Sequence, residues 1–540
     1  MVTQRTSIVN GWIPLILILF VTTLVYLPIF RNNFTIDDHV FIGKYHPSIA
    51  EAFRGAVPSG HEGVYRPVRA MIYTAYYNLF GTNPFWYHLH SLLIHLAATV
   101  LVFFIVSVIA RSDSDEAIPL GKRLLRQVQS CTWLRFARND KIRNGLAMTA
   151  GVAALLFGLH PVHTESITYI AASMEMTGVV FMLGAFWLFV RSPRRRNGLA
   201  MTLSVVLALL AFFTYEMTIT LPILLVLYEW ILRVPSVIPA QAGIQRRKDW
   251  IPVFTGMTQR VLPYFFGAGV YLFIRFFVLG ITSRGTYLGG SIWYTILTLP
   301  KVLMHYLWVT VWPVGLVNNH IISPGIEAFV YRGYRTVAIL GQSILDPEIL
   351  GAIGVIGGIG VIGWKMRKKY PLVSFGIAWF FISLLPVMGF VPGGSMFNER
   401  MLYIPSVGFV MVAGWALGRL GRIRVIRMIG VIGVIALLYG MRTAVRNRDW
   451  HDDVTLWQKD VAAAPTENAY AYFALGNAYN DRKDYAKALE AYLGSVTINP
   501  GFAVGYASLS RTYRDMGNME LSNVYYQKAA EAETGFWRAP

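Results

Sequence analysis

The polar residues of this sequence that could do chemistry stand at the borders of long apolar runs. Asp37 and Asp38 lie in Asn33-Phe-Thr-Ile-Asp-Asp-His39, just after the first such run. Adjacent carboxylates repel, so one pKa tends to rise and a carboxylate can then serve as general base. A solvated pair of loop acids is the plainer reading. Arg66, in Tyr-Arg-Pro, and Arg400, in Asn-Glu-Arg, carry forked donors that suit phosphate oxygens. Snorkelling, or an ion pair with Glu399, is their ordinary explanation. His160-Pro-Val-His-Thr-Glu165 gathers two imidazoles and a carboxylate within six residues. Such a set suits a divalent metal. Against a metal, Pro161 breaks a helix there and no HExxH-like spacing fixes both rings on one face. Hydrogen-bonding groups in a substrate cavity come first. Glu216, in Thr-Tyr-Glu, reads as a cavity residue or a helix cap, and His88 as another border residue. His95, inside an apolar run, reads as a satisfied interhelical hydrogen bonder.

The elements that must position these residues follow from composition. Of 540 residues, 55% are apolar and only 14% charged, against a typical share of about 25%. Mean hydropathy is +0.47. A soluble globule of this size could not cover itself with so few charges, and disorder, collagen, coiled coil and disulfide scaffold are excluded on the same figures. The chain reads as a polytopic, all-helical membrane protein. Its net charge of +19 would suit nucleic acid, but the basic residues cluster in short loops between apolar runs, as in Arg191-Ser-Pro-Arg-Arg-Arg196 and Lys365-Met-Arg-Lys-Lys369. That is the positive-inside pattern of cytoplasmic loops, so no nucleic-acid partner is expected. The single Cys131 cannot form an internal disulfide.

Apolar stretches near the ~20 residues a bilayer requires fall at about 12–30, 84–110, 146–164, 171–190, 198–213, 217–233, 261–280, 347–364, 371–390, 401–419 and 426–441. The first has no small-residue cleavage site and reads as an uncleaved signal anchor. A further stretch, 293–313, is interrupted by Lys301 and His305. Eleven spans place all five basic loops (111–143, 191–197, 233–260, 365–370 and 419–427) in the cytoplasm and the C-terminus outside. A twelfth would break the rule for one half, so 293–313 reads as re-entrant or interfacial. Residues 111–143 and 234–258 resemble translated interspersed repeats of bacterial genomes and read as tolerated loop insertions.

The composition becomes that of a soluble helical domain near residue 443, which divides the chain into 1–442 and 443–540. Tyr472, Leu475, Gly476, Tyr479, Ala488, Tyr492 and Pro500 match the tetratricopeptide pattern. A 34-residue step from them leads to Tyr506, Leu509, Ser510, Tyr513, Ser522, Tyr526 and Thr534. Two repeats alone are usually too few to be stable. A helix around Asp452–Ala464 is expected to cap the stack, and the membrane domain to support it. A partner-binding surface is the ordinary use of such repeats.

Asp37-Asp38 after the first span resembles the first external loop of GT-C type glycosyltransferases. Tyr65-Arg-Pro67, Phe85-Trp-Tyr-His88, His95, Leu159-His-Pro-Val-His-Thr-Glu165 and Glu399-Arg-Met-Leu-Tyr-Ile-Pro405 are similar to motifs of one branch. That branch is the transmembrane and tetratricopeptide-repeat O-mannosyltransferases and their bacterial relatives. The order of motifs is retained over nearly the whole chain apart from the two insertions. The sequence departs from the pattern at Ser173, where the family usually has Arg, and at Tyr215, where it usually has Lys. The resemblance implies a GT-C type membrane domain that moves a sugar from a polyprenyl-phosphate donor to a hydroxyl outside the membrane, with inversion. Asp37 or Asp38 would be the base, and Arg66 and Arg400 would meet the departing phosphate. His88, His160, His163, Glu165 and Glu216 would orient phosphate or sugar. The resemblance fixes no cofactor, the lipid-linked donor being a substrate; a divalent metal at His160, His163 and Glu165 stays open. The implied setting is a bacterial inner membrane, with site and repeats on the periplasmic side and a protein acceptor at the repeats. Protein Ser/Thr, a glycan or a lipid would each supply the hydroxyl. Two other functions fit the layout: a non-enzymatic repeat scaffold for envelope assembly, and an O-antigen ligase or polymerase. A scaffold has no reason to converge Asp37-Asp38 with Arg400.

Overall fold

The computed structural model describes residues 2–55, 57, 63–116, 148–192, 198–233, 250–282, 287, 291–323, 326–327, 343–391, 395–420 and 425–537. The insertion-like stretches at 117–143 and 234–249 lie outside them. Residues 250–258, expected as loop, instead begin the helix Trp250–Phe273. Among the described residues, apart from a short antiparallel pair, Ile321–Ser323 with Ile326–Glu327, the regular elements are helical.

Among the described residues, six helices are long and apolar enough to cross a membrane: Ile13–Arg31, Pro84–Ala110, Ile170–Arg191, Gln259–Val278, Pro347–Met366 and Ile429–Asp449. Met148–Leu159, Gly198–Thr214 and Pro371–Val387 are shorter and equally apolar. With a composition of this kind, the chain is an integral membrane protein. The helices form a centre and a periphery. Ile170–Arg191 buries 72% of its apolar window against protein, whereas Pro347–Met366 and Ile429–Asp449 bury 17%. The peripheral helices turn Val361, Trp364, Leu437 and Leu438 outward, as lipid-facing surfaces do.

Three expected spans are differently built. The 146–164 segment is helical only over Met148–Leu159 before a 3-10 turn, Pro161–His163. Pro161 has no N–H to continue the helix. Just before it, Gly158 packs so closely that a Cβ there would stand 2.5 Å from the Thr22 hydroxyl. The 217–233 segment is a 3-10 turn (Glu216–Thr220), an α-helix (Leu221–Tyr228) and a π turn (Glu229–Arg233). Segment 401–419 begins with the 3-10 turn Glu399–Leu402 and becomes a helix only at Pro405–Leu420. Each break puts irregular backbone beside a polar residue of the motifs. The 293–313 stretch is one helix, Ile292–Val311, whose buried Lys301 pairs with Asp346 and Glu348, both at 2.8 Å.

Helix Val425–Asp449 runs through the expected boundary at 442/443 and carries the chain into the repeats without a linker. A cap helix follows at Asp453–Ala463, N-capped by Asp452, which accepts from the Thr455 N–H. Helices Ala469–Asp481, Tyr485–Ile498, Ala503–Asp515 and Met519–Trp537 complete two antiparallel pairs. Gly476 lets the Tyr492 ring approach to 2.5 Å of where a Cβ would be. The stack has outside support: Trp450 and Leu456 are buried in one cluster with Phe41, Tyr73 and Tyr169 of the membrane body. Fully burying a side chain like Leu456 contributes roughly 1.5–3 kcal/mol. A short stack gains stability from such packing.

Candidate active site

The breaks and ends of the helices meet in one ionic cluster. Arg66 precedes helix Pro67–Phe80, with Pro67 at its first turn. Its guanidinium grips Glu216 through two bonds, Nε to Oε2 at 2.5 Å and Nη2 to Oε1 at 2.6 Å. A third nitrogen donates to Glu175. Arg69, one turn further on, donates to the same Glu175 oxygen at 2.7 Å. Burial works against the charges of Glu216 and Arg66. Even so, Arg66 holds Glu216 well below the usual carboxylate range, and the two glutamates hold Arg66 above the usual range for arginine. The Arg66 side chain is 8% exposed. Its forked donors, expected on phosphate, are spent on carboxylates here.

Arg400 is the more open guanidinium, with its side chain 22% exposed. It donates from Nη1 to Glu165 Oε1 at 2.5 Å, and its backbone N–H reaches Glu165 Oε2 at 3.0 Å. Burial pushes the Glu165 carboxyl up, and Arg400 pulls it back. The Arg400 group lies 5.9 Å from the Tyr169 ring, and the charges of Asp37, Asp38 and Arg400 all act on the Tyr169 phenol. Tyr169 in turn stacks on Trp450. Beside Arg66 and Arg69 lies a narrow cleft, lined also by Phe41, Tyr45, Tyr65 and Tyr73.

The two aspartates differ. Asp38 is fully buried; its Oδ2 accepts from the Thr35 N–H at 3.2 Å and its Oδ1 from the Ala171 N–H at 2.7 Å. Burial pushes this carboxyl up to about 8 against those two donors. Asp38 thereby ties its loop to the start of helix Ile170–Arg191. Asp37 is only half-buried and so can meet an incoming group. The residue before it, Ile36, has φ +51°, a left-handed conformation that costs a β-branched residue about 1–3 kcal/mol. Surrounding contacts must hold it there.

The histidines are placed differently from expectation. His88 is buried with Nε2 on the Asn32 carbonyl. His160 contacts the Thr310 carbonyl through Nε2 and accepts from the Val162 N–H at Nδ1. His163 bonds the Phe157 carbonyl and Ser406. All three are fully buried and fasten backbone turns rather than line the cleft. Among the described residues no group of three His, Cys, Asp or Glu could hold a metal ion. His95 bonds Tyr403 and the Gly158 carbonyl across helices, as read from the sequence. Ser173 bonds Ser91, and Tyr215 lies 5.3 Å from the Arg66 guanidinium.

Sequence reasoning missed Arg69, Glu175 and Tyr169. Glu175 had a signal: it is a lone carboxylate in the long apolar run of 170–190. A second network was also missed. His320 reaches Glu399 at 2.9 Å, and Arg446 lies 3.5 Å from the same oxygen. Burial pushes Glu399 up to about 7 and His320 down to about 3.

The tetratricopeptide repeat family model matches residues 469–502 and 503–534, the two helix pairs described above. Protein O-mannosyl-transferase TMTC3 of Mus musculus is 22% identical over 86% of this chain and 48% of its own. The TMTC3 protein of Homo sapiens gives the same figures, and Tmtc3 of Drosophila melanogaster is 23% identical over 86% of this chain and 52% of its own. The chain thus spans about half the length of these relatives. Among solved structures, the archaeal oligosaccharyltransferase AglB from Archaeoglobus fulgidus, in complex with an inhibitory peptide and a dolichol-phosphate, aligns over 88% of this chain and 59% of that one. Identity is 12% and the TM-score 0.39, a likeness too loose to carry an argument. The resemblance carried by the motifs extends along the sequence: this chain is similar to protein O-mannosyl-transferases over most of its length.

Proposed function

We propose that this chain transfers a sugar from a polyprenyl-phosphate donor to a hydroxyl acceptor, protein Ser/Thr first, on the outer side of the membrane. The observation that carries the reading is the charge buried where several apolar helices end: the Arg66–Glu175–Glu216 cluster and the Arg400–Glu165 pair, with the Asp37–Asp38 loop tied to the start of helix Ile170–Arg191. Similarity to protein O-mannosyl-transferases over most of the chain supports it. A membrane protein whose only task is to display repeats gains nothing from so many buried charges, which cost several kcal/mol each to desolvate.

In the reaction, the acceptor oxygen attacks the anomeric carbon as the bond to the donor phosphate breaks. The electron pair of that bond leaves with the polyprenyl phosphate, and the acceptor proton passes to Asp37. Attack opposite the leaving group inverts the anomeric centre. Arg400, the guanidinium with an exposed edge, stabilises charge on the departing phosphate. Glu165 fixes Arg400, and Glu175 and Glu216 fix Arg66 and Arg69, which line the cleft. The lipid-linked donor places its sugar at the membrane border, where these groups lie. The working boundaries are a transferase domain over 1–442 and a repeat domain over 443–540, with site and repeats on the periplasmic face of a bacterial inner membrane.

Purified protein in vesicles, offered labelled polyprenyl-phosphate sugars with peptide and glycan acceptors, should transfer label to at least one acceptor. No transfer across the donor panel would favour the scaffold.

A further inference from the structure

The repeat module grips the loop that carries Asp37. Asp453, the first residue of the cap helix, accepts from the Ile36 N–H through Oδ1 at 2.8 Å. Its other oxygen meets His39 Nε2 at 3.1 Å. The two contacts bracket Asp37 and Asp38 from a position over 400 residues away in sequence. Ile36 is the residue in the left-handed conformation, and its side chain packs on the repeat-side cluster of Val454, Trp457 and Ala471. The Asp453 carboxylate is not needed to start its own helix, because Asp452 supplies the N-cap. The loop is held at neighbouring points too: Asn33 donates to the His451 carbonyl at 2.9 Å, and Asn32 to that of Asn447 at 2.8 Å.

We infer that Asp453 is a positioning residue for the transfer reaction: the cap helix completes the candidate active site by holding the Ile36–His39 turn so that Asp37 faces the acceptor. This rests on the transferase reading. It makes the first helix after the membrane domain part of the catalytic unit, whatever the repeats bind.

The test uses the full chain in vesicles with the polyprenyl-phosphate sugar that the wild type uses best. Asp453→Ala should lower kcat by about 10–100-fold, the scale of a roughly 1 Å misplacement. Donor KM should stay within about twofold, since the donor is not held by this turn. Amide exchange over residues 33–41 should rise, with thermal unfolding of the repeats little changed. Asp453→Asn keeps an acceptor for the Ile36 N–H and should retain most of the rate. His39→Ala alters an exposed side chain and should loosen the same turn with a smaller loss of kcat. Wild-type kcat and wild-type exchange in both Asp453→Ala and His39→Ala would overturn the inference, as would equal losses in Asp453→Ala and Asp453→Asn. If Asp453→Ala does not fold, unchanged exchange and rate in His39→Ala overturn it alone. A wild type that transfers nothing counts against the transferase reading instead, and the exchange measurements still decide whether the clamp exists.

Discussion

Arg400 and Glu165 form a pair in which removing one partner strands the other. Glu165 is fully buried, so Arg400→Ala should cost roughly 3–5 kcal/mol of stability. Adding Glu165→Gln should return most of that in thermal unfolding while transfer and donor binding stay impaired, which separates a phosphate contact from a structural one. His39 gives a pH signature. Its hydrogen bond to Asp453 raises its pKa, burial works against that, and the charges of Asp453, Asp38 and Asp481 add to the rise. A raised folded-state pKa means that the contact is in full strength below the ordinary value of ~6.5 and fades as pH climbs through the raised one. Exchange over 33–41 should therefore increase on the alkaline side, and His39→Ala should abolish the step. Much of the site could be read at this scale, because Asp37, Arg66, Glu165, Glu216 and Arg400 are ionisable residues at apolar borders. Their partners could not. Arg66 meets Glu175 and Glu216 across 109 and 150 residues, distances on which periodicity is silent. The buried histidines misled for a related reason: a polar residue at a border looks the same whether it faces a cavity or fastens a turn.

The turn Glu399–Leu402, which carries Arg400, leads into helix Pro405–Leu420, which packs on helix Pro371–Leu384. These cross at two glycines: a Cβ on Gly408 would stand 2.3 Å from the Gly376 carbonyl oxygen and 2.8 Å from the Phe380 nitrogen. Backbone cannot yield as a side-chain tip can, so Gly408→Leu should force the pair apart. The expected cost is about 1–3 kcal/mol or more in thermal unfolding, with Arg400 displaced and transfer lost alongside. Full stability with full transfer would show that the crossing does not set the turn. Hydropathy found most of these helices but not their breaks. Pro161 is a visible helix breaker, whereas the irregular turns at Glu216–Thr220 and Glu399–Leu402 are fixed by tertiary ion pairs. The cap helix around Asp452–Ala464 was legible because its capping residue and its buried Leu456 and Trp457 are local signals.

At the scale of the molecule, the repeats and the membrane helices are continuous, through the unbroken helix Val425–Asp449 and the contacts of the cap helix. Asp460 of the cap helix accepts from the Asn318 and Asn319 N–H groups, and Asp453 from that of Ile36. The repeats and the Asp37 loop must then share one side of the membrane. A phosphatase reporter fused after Pro540 should be active, and an inactive but well-expressed fusion would contradict an outside location. In the proposed mechanism Asp37 takes the acceptor proton. The direct measurement is the transfer rate and donor retention of Asp37→Asn, with Asp38→Asn as control, in vesicles with a labelled polyprenyl-phosphate sugar. Asp37→Asn should lose ~10²–10⁴-fold in transfer with the donor still bound. Wild-type transfer by correctly inserted Asp37→Asn would contradict it.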